Sequence, residues 1–264
     1  MAKPIVALLS DFGTRDHYTG VMKGVVLSIC PDAVLVDVSH DLPAHDIPFA
    51  SRELAATYKY FPAGTIFVVV VDPGVGSMRR GIAADVGDWK FVAPDNGVLT
   101  SVFQEAPPKK VVELTERRYA RPTVSRTFEG RDRFAPAGAW LAKGIQLSAL
   151  GRPVADYVQI PLALPQMEAG EIHGEVIRID RFGNVVSNID RKLCERLASA
   201  GEPLVITIAG QAVARVVSTF SEISVGEICA LYGSTDHLEF AAHSSSAATG
   251  LGVDVGTPVA VRKA

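Results

Sequence analysis

Residues 65–74 read Thr-Ile-Phe-Val-Val-Val-Val-Asp-Pro-Gly, and this stretch decides the fold class. From Thr65 to Val71 there is no polar face, so the strand must be covered on both sides, as parallel strands between helices are. Pro73 and Gly74 then end it, since proline cannot donate to a central ladder. Working outward, Ile5–Leu9 and Val34–Val38 are two more β-branched or apolar runs, and Val21–Cys30 and Ile47–Tyr60 have helical spacing. Gly81–Val86, Lys90–Ala93 and Val111–Leu114 add strands, and Asp132–Lys143 reads as a helix. This alternation predicts an α/β, sandwich-like domain with a largely parallel sheet over residues 1–160.

Between residues 151 and 170 the periodicity weakens, and Pro153, Pro161 and Pro165 mark a linker. Short strand-like runs with Gly-rich turns follow, which predicts a small β-barrel over residues 170–264. The chain has 264 residues, 48% hydrophobic and 21% charged, with formal net charge -3. That composition is globular, and without a basic stripe it does not fit nucleic-acid binding. No apolar stretch approaches the roughly 18 residues of a membrane span, and the short apolar run after Met1 lacks the features of a signal peptide. Cys30, Cys194 and Cys229 are odd in number and far apart, so buried thiols in a cytoplasmic protein are expected rather than disulfides or a zinc site.

Polar clusters fall where α/β proteins keep their sites, just past the carboxyl ends of strands. Asp11, in Ser10-Asp11-Phe12-Gly13, suits a ribose diol, or equally a turn that bonds its own backbone. Asp72 begins a Gly-rich loop that runs to Arg79 and Arg80 but lacks the spacing of a P-loop or dinucleotide fingerprint. Arg79 can fold back onto Asp72, or form a surface pair of little consequence. Thr127-Phe128-Glu129-Gly130-Arg131-Asp132 opens a helix, where carboxylates also serve as caps. Asp95-Asn96-Gly97 reads as a turn. In the second half, Asp180-Arg181-Phe182-Gly183-Asn184 offers an aromatic face and polar groups, or an ordinary turn, and Tyr232-Gly233-Ser234 offers amides and a hydroxyl. No His spacing suggests a metal, and His17, His40 and His45 are expected to be hydrogen-bonded instead.

Six segments in register, SDFGTRDHYTGVMKG from Ser10, VVVDPGVGSMRR from Val69, PDNGVL from Pro94, TFEGRDRFAP from Thr127, IDRFGNVVSNI from Ile179 and YGSTDHLEFA from Tyr232, carry a resemblance that spans nearly the whole chain. The sequence resembles the adenosine-forming S-adenosylmethionine (SAM) hydrolases, also called SAM hydroxide adenosyltransferases, relatives of the fluorinases and chlorinases. The resemblance implies an α/β domain followed by a β-barrel, and a homotrimer with sites at subunit interfaces. It implies that Asp11 holds the ribose hydroxyls, that Asp180, Phe182 and Asn184 serve the methionine amine and adenine, and that Ser234 lies near the methionine carboxylate. Glu239 would lie close to the adenosyl pocket. SAM would be the substrate, with no cofactor and no metal.

Hydrolases of that family carry an Asp-Arg-His triad that handles water. Asp72 and Arg79 match it, but Glu129 stands where the His belongs. The implied reaction is in-line attack of water on the 5′ carbon, with methionine leaving as a neutral thioether. Glutamate starts near a pKa of about 4.3 and histidine near about 6.5, so Glu129 is the weaker base unless burial or a neighbouring carboxylate assists it. The expectation is a hydrolase with Asp72, Arg79 and Glu129 as its catalytic groups. The alternatives are a non-catalytic binder of SAM or adenosine and a SAM-dependent halogenase. Relatives that use halide carry Tyr where this chain has Asp72.

Overall fold

The computed structural model describes residues 2–198 and 202–264, in two units, 1–161 and 162–264. The first unit runs β1 (Ile5–Ser10), α1 (Tyr18–Ile29), β2 (Val34–Ser39), α2 (Ile47–Thr57), β3 (Ile66–Val70), β4 (Gly81–Val86), β5 (Trp89–Pro94), α3 (Thr100–Glu105), β6 (Lys110–Leu114), a π-helical turn at Gly130–Phe134, α4 (Ala135–Ala142) and β7 (Gly151–Pro153). Its sheet has the order β2-β1-β3-β5-β4-β6-β7. The first four strands are parallel, and β4, β6 and β7 pair antiparallel.

The doubly apolar run at 65–71 is explained by two cores. Ile66, Val68 and Val70 point into one with α1 and α4, while Phe67, Val69 and Val71 point into the other with α2 and α3. Each face carries alternate residues, as the strand's period of two requires. Gly138 lets α4 approach β3 closely, since a Cβ there would collide with the Val68 side chain. From β1 the chain crosses to β2 on one side, and from β3 it continues toward β5 on the other. The carboxyl ends of β1 and β3 therefore flank a topological switch point, the usual crevice for a ligand in such sheets.

The second unit runs β8 (Gln166–Glu168), β9 (Glu171–Ile179), β10 (Val185–Asp190), α5 (Arg191–Leu197), β11 (Leu204–Ile208), β12 (Gln211–Val213), β13 (Ile228–Tyr232), β14 (His237–Ala242), α6 (Ala247–Leu251) and β15 (Pro258–Lys263). Its strands follow the order β12-β11-β15-β9-β10-β14-β13, with β8 on β9. Just past β12, the amide of Val217 donates to the Ala230 carbonyl on β13 and the amide of Ala230 to the Arg215 carbonyl, so the sheet nearly closes into a barrel. Inward residues such as Ile172, Val176, Val185, Phe240 and Val261 form its core. Cys30, Cys194 and Cys229 are free and buried, as expected of core thiols.

Two local readings differ from the sequence-based expectation. The expected helix at 132–143 begins instead with the π turn at 130–134, because Pro136 sits at the start of α4 and cannot donate into a preceding α-turn. The stretch at 47–60 ends as helix at Thr57 and finishes in a tighter 3₁₀ turn. Asp95-Asn96-Gly97 is the loop form of the turn read from its sequence, leading toward α3, and the hairpin turn between β4 and β5 lies at Gly87-Asp88.

Candidate active site

Asp11 and Asp72 leave adjacent strands at nearly the same level, since Ser10 on β1 pairs with Val70 on β3. Asp72 is followed by a tight loop, held by Val75 N–H to the Asp72 carbonyl and Ser77 N–H to the Gly74 carbonyl. Gly76, at φ +77, permits this path, and a Cβ there would also strike the Arg126 carbonyl from the neighbouring loop. The loop returns Arg79 over Asp72. Its Nε donates to Asp72 Oδ1 at 2.8 Å and its Nη2 to Oδ2, a two-pronged pairing that uses both carboxylate oxygens.

The same guanidinium reaches a second carboxylate. Arg79 Nη1 lies 2.7 Å from Glu129 Oε2, but its N–H does not point along that line, so this buried oxygen is charge-paired without a directed hydrogen bond. The three side chains are only 10%, 5% and 12% exposed for Arg79, Asp72 and Glu129. Arg79 also packs 5.2 Å over the Phe134 ring. Burial opposes its charge, yet the hydrogen bonds and charge of Asp72, with Glu129 added, hold Arg79 above the ordinary guanidinium range. The sequence-based picture of Glu129 directly beside Asp72 is refined: Arg79 bridges the two carboxylates.

Asp72 and Glu129 line a cavity of about 160 Å³, walled also by Phe12, Tyr18, Val70 and Phe128 among others. Phe12, Tyr18 and Phe128 pack against one another at 5.2–5.8 Å between ring centres, which fixes the apolar wall. Asp132 braces the segment from beneath. It is fully buried, takes Arg131 Nε and Nη2 at 2.7 Å and Ser125 N–H at 2.8 Å, and lies 3.3 Å from Arg121. Burial opposes its charge, but these partners keep its carboxyl below the usual range.

Asp11 is supported by residues whose sequence spacing gave no sign of it. Its Oδ2 accepts the His45 amide at 2.8 Å, and His45 holds φ +66, an uncommon conformation outside glycine. Below it, Ser10 Oγ contacts His40 Nδ1 at 2.7 Å, and His40 Nε2 contacts Asp37 Oδ1 at 3.0 Å, with Lys23 at 2.6 Å from Asp37. The Gly13 amide donates to the His40 carbonyl at 2.7 Å. His40 is thus hydrogen-bonded, while His17 stacks on Tyr18. Among the described residues no cluster of His, Cys, Asp or Glu is arranged to hold a metal.

In the second unit, Asp180 braces its own turn. Oδ1 accepts the amides of Phe182 at 2.8 Å and Asn184 at 2.9 Å, and Oδ2 accepts Asn184 Nδ2 at 2.9 Å. Phe182 is thereby presented 76% exposed on a stiff loop. Glu239 packs against Gly233, next to Ser234 in sequence. Burial first, and the charge of Asp180 second, raise its carboxyl above the ordinary range against the pull of Arg178. The sequence-predicted residues therefore fall into Asp72, Arg79 and Glu129 about one cavity, Asp11 at the adjacent strand end, and Asp180, Phe182, Asn184, Ser234 and Glu239 in the barrel unit.

The fold and these strand-end carboxylates define an α/β-plus-barrel protein with a carboxylate-lined cavity past the ends of its parallel strands. The SAM hydroxide adenosyltransferase N-terminal domain matches residues 6–151 and the C-terminal domain of the same family residues 174–260, so the chain belongs to that family. It is 38% identical over 264 residues to the (R)-S-adenosyl-L-methionine hydrolase of Thermus thermophilus, covering 96% of this chain and 98% of that one. It is 30% identical over 220 residues to a fluorinase of an Actinoplanes species, covering 73% and 74%. A crystal structure of an uncharacterized conserved protein from Thermotoga maritima superposes with TM-score 0.92 at 34% identity, covering 97% and 99%.

Proposed function

We propose that this protein hydrolyses SAM to adenosine and L-methionine. The observation that carries the reading is the pair of carboxylates, Asp72 and Glu129, on the cavity wall, bridged by Arg79. Water attacks the 5′ carbon, a C–O bond forms, and the C–S bond breaks with its electron pair passing to sulfur. The sulfonium becomes a neutral thioether, so departure needs no acid and no metal or redox cofactor. Alignment alone supplies about 7–11 kcal/mol in well-ordered systems, and removal of the water proton adds about 10²–10⁴-fold.

The two carboxylates divide the work. Both oxygens of Asp72 are taken by Arg79, which makes Asp72 the group that aims the guanidinium. Glu129 lines the cavity wall, which makes its carboxylate the acceptor for the water proton. Asp72, where the halide-using relatives are expected to carry Tyr, stands against a halogenase reading. Purified protein incubated with SAM from pH 5 to 9 should yield adenosine and methionine in equal amounts, and no halogenated nucleoside when chloride or fluoride is added. Binding without product would instead establish a non-catalytic SAM or adenosine binder.

Asp11 holds the ribose diol, with its second oxygen available beside the His45 amide bond on the first. Asp11→Ala should raise the KM for SAM by about 10–100-fold, at about 1.5–3 kcal/mol for a charged hydrogen bond, in steady-state adenosine assays. Asp180, Phe182, Asn184, Ser234 and Glu239 complete the site from a neighbouring subunit of a homotrimer, with Phe182 offering its exposed ring to adenine. Light scattering should give three times the 28.1 kDa chain mass, and a monomer with full activity would refute the shared site. The location is cytoplasmic, in keeping with three free buried thiols. No helix among the described residues is long and apolar enough to cross a membrane.

A further inference from the structure

Glu129 is held from a second side. Arg133, four residues on through the π turn, places Nη1 3.2 Å from Glu129 Oε1. Its Nη2 donates to the Leu114 carbonyl at 2.7 Å, at the end of β6. The guanidinium is therefore fixed to the sheet while it grips the carboxylate. Arg79 cannot do this, because its Nε and Nη2 are committed to Asp72 and its Nη1 lies off line from Glu129.

The charges support the same division. Asp72 and Glu129 balance Arg79 and Arg133. With an uncharged imidazole at position 129, the same cluster would hold one excess positive charge where a sulfonium must bind. Arg133 thus suits a carboxylate at 129, not a histidine.

We propose that Arg133 is a positioning residue for the reaction. It anchors Oε1 of Glu129 so that the carboxylate is held at the cavity wall where the attacking water must sit, and the Glu129–Arg133 pair takes the place of a single imidazole. This rests on the assignment of Glu129 as proton acceptor, and the test separates the two.

The experiment measures kcat and KM for SAM in Arg133→Met, Arg133→Lys and Glu129→Gln, and in the Glu129→Gln/Arg133→Met double variant, with melting curves for each. Arg133→Met should lower kcat by about tenfold or more with KM rising no more than about twofold, since the ligand contacts lie elsewhere. Arg133→Lys keeps the charge but cannot span Glu129 and Leu114 together, and should recover part of the loss. In the Glu129→Gln background the same Met substitution should change kcat by less than about twofold, the signature of two residues acting as one.

Equal losses in both backgrounds would mean that Arg133 acts on the fold alone, and would overturn the inference. Native kcat in Arg133→Met with an inactive Glu129→Gln would remove this inference and leave the proton acceptor in place. Full activity in Glu129→Gln would remove both. Should Arg133→Met fail to melt cooperatively, Arg133→Lys against Arg133→Gln supplies the same comparison.

Discussion

Glu129→Gln should lower kcat for adenosine formation by about 10²–10⁴-fold, the range typical of losing a positioned general base. The substitution keeps the size and shape of the side chain and leaves Arg79 bound to Asp72 through both prongs. What changes is the chemistry of the side chain at the cavity wall, which no longer accepts a proton. Single-turnover measurement of adenosine at saturating SAM isolates this step from binding. Glu129→His supplies a base with an ordinary pKa near about 6.5 at the same position but leaves Arg133 without its carboxylate, so it should recover only part of the turnover. A Glu129→Gln rate within about threefold of native would assign the whole acceleration to alignment, without proton removal.

Much of the architecture was legible because it is written in local pattern. The run from Thr65 to Val71 had to be buried on both faces, and it is, with its residues alternating between two cores. The strand-end positions of Asp11 and Asp72 followed from where apolar runs stopped. Asp72, Arg79 and Glu129 converge as the family resemblance implied, although 57 residues separate the first from the last. The π turn was not legible, because a proline at the start of a helix fits an ordinary α-helical N-terminus as well as a π turn, and only the folded backbone shows which of the two is formed. Nor was the His45 amide on Asp11, since a backbone donor carries no side-chain signature and lies 34 residues away. Arg133 was readable in part: Glu129 and Arg133 stand four apart, a spacing that brings side chains together on a helical surface. What the spacing could not show was the Leu114 carbonyl that makes the contact rigid. Asp180 shows the converse, since the turn reading and the site reading share one group, a carboxylate that braces the loop presenting Phe182.

Arg79→Met should be the most damaging substitution to the fold and the site together. The side chain lies between two carboxylates that are each nearly buried, and breaking such a pair by removing one partner costs about 3–5 kcal/mol. Methionine keeps the packing over Phe134 but leaves Asp72 and Glu129 facing each other, with Arg133 at one oxygen of Glu129 as the remaining cation in contact among the described residues. The loop from Asp72 to Arg80 loses its inward tether, so kcat should fall by at least about 10²-fold along with stability, because small displacements of aligned groups are costly. With the guanidinium gone, two carboxylates share a nearly buried site without their common partner, so the melting temperature of Arg79→Met should lie well below that of the native protein. Arg79→Lys, which retains a charge but not the fork, should fall between them. A melting temperature equal to that of the native protein would mean that Arg79 contributes packing alone and that the two carboxylates do not interact across it.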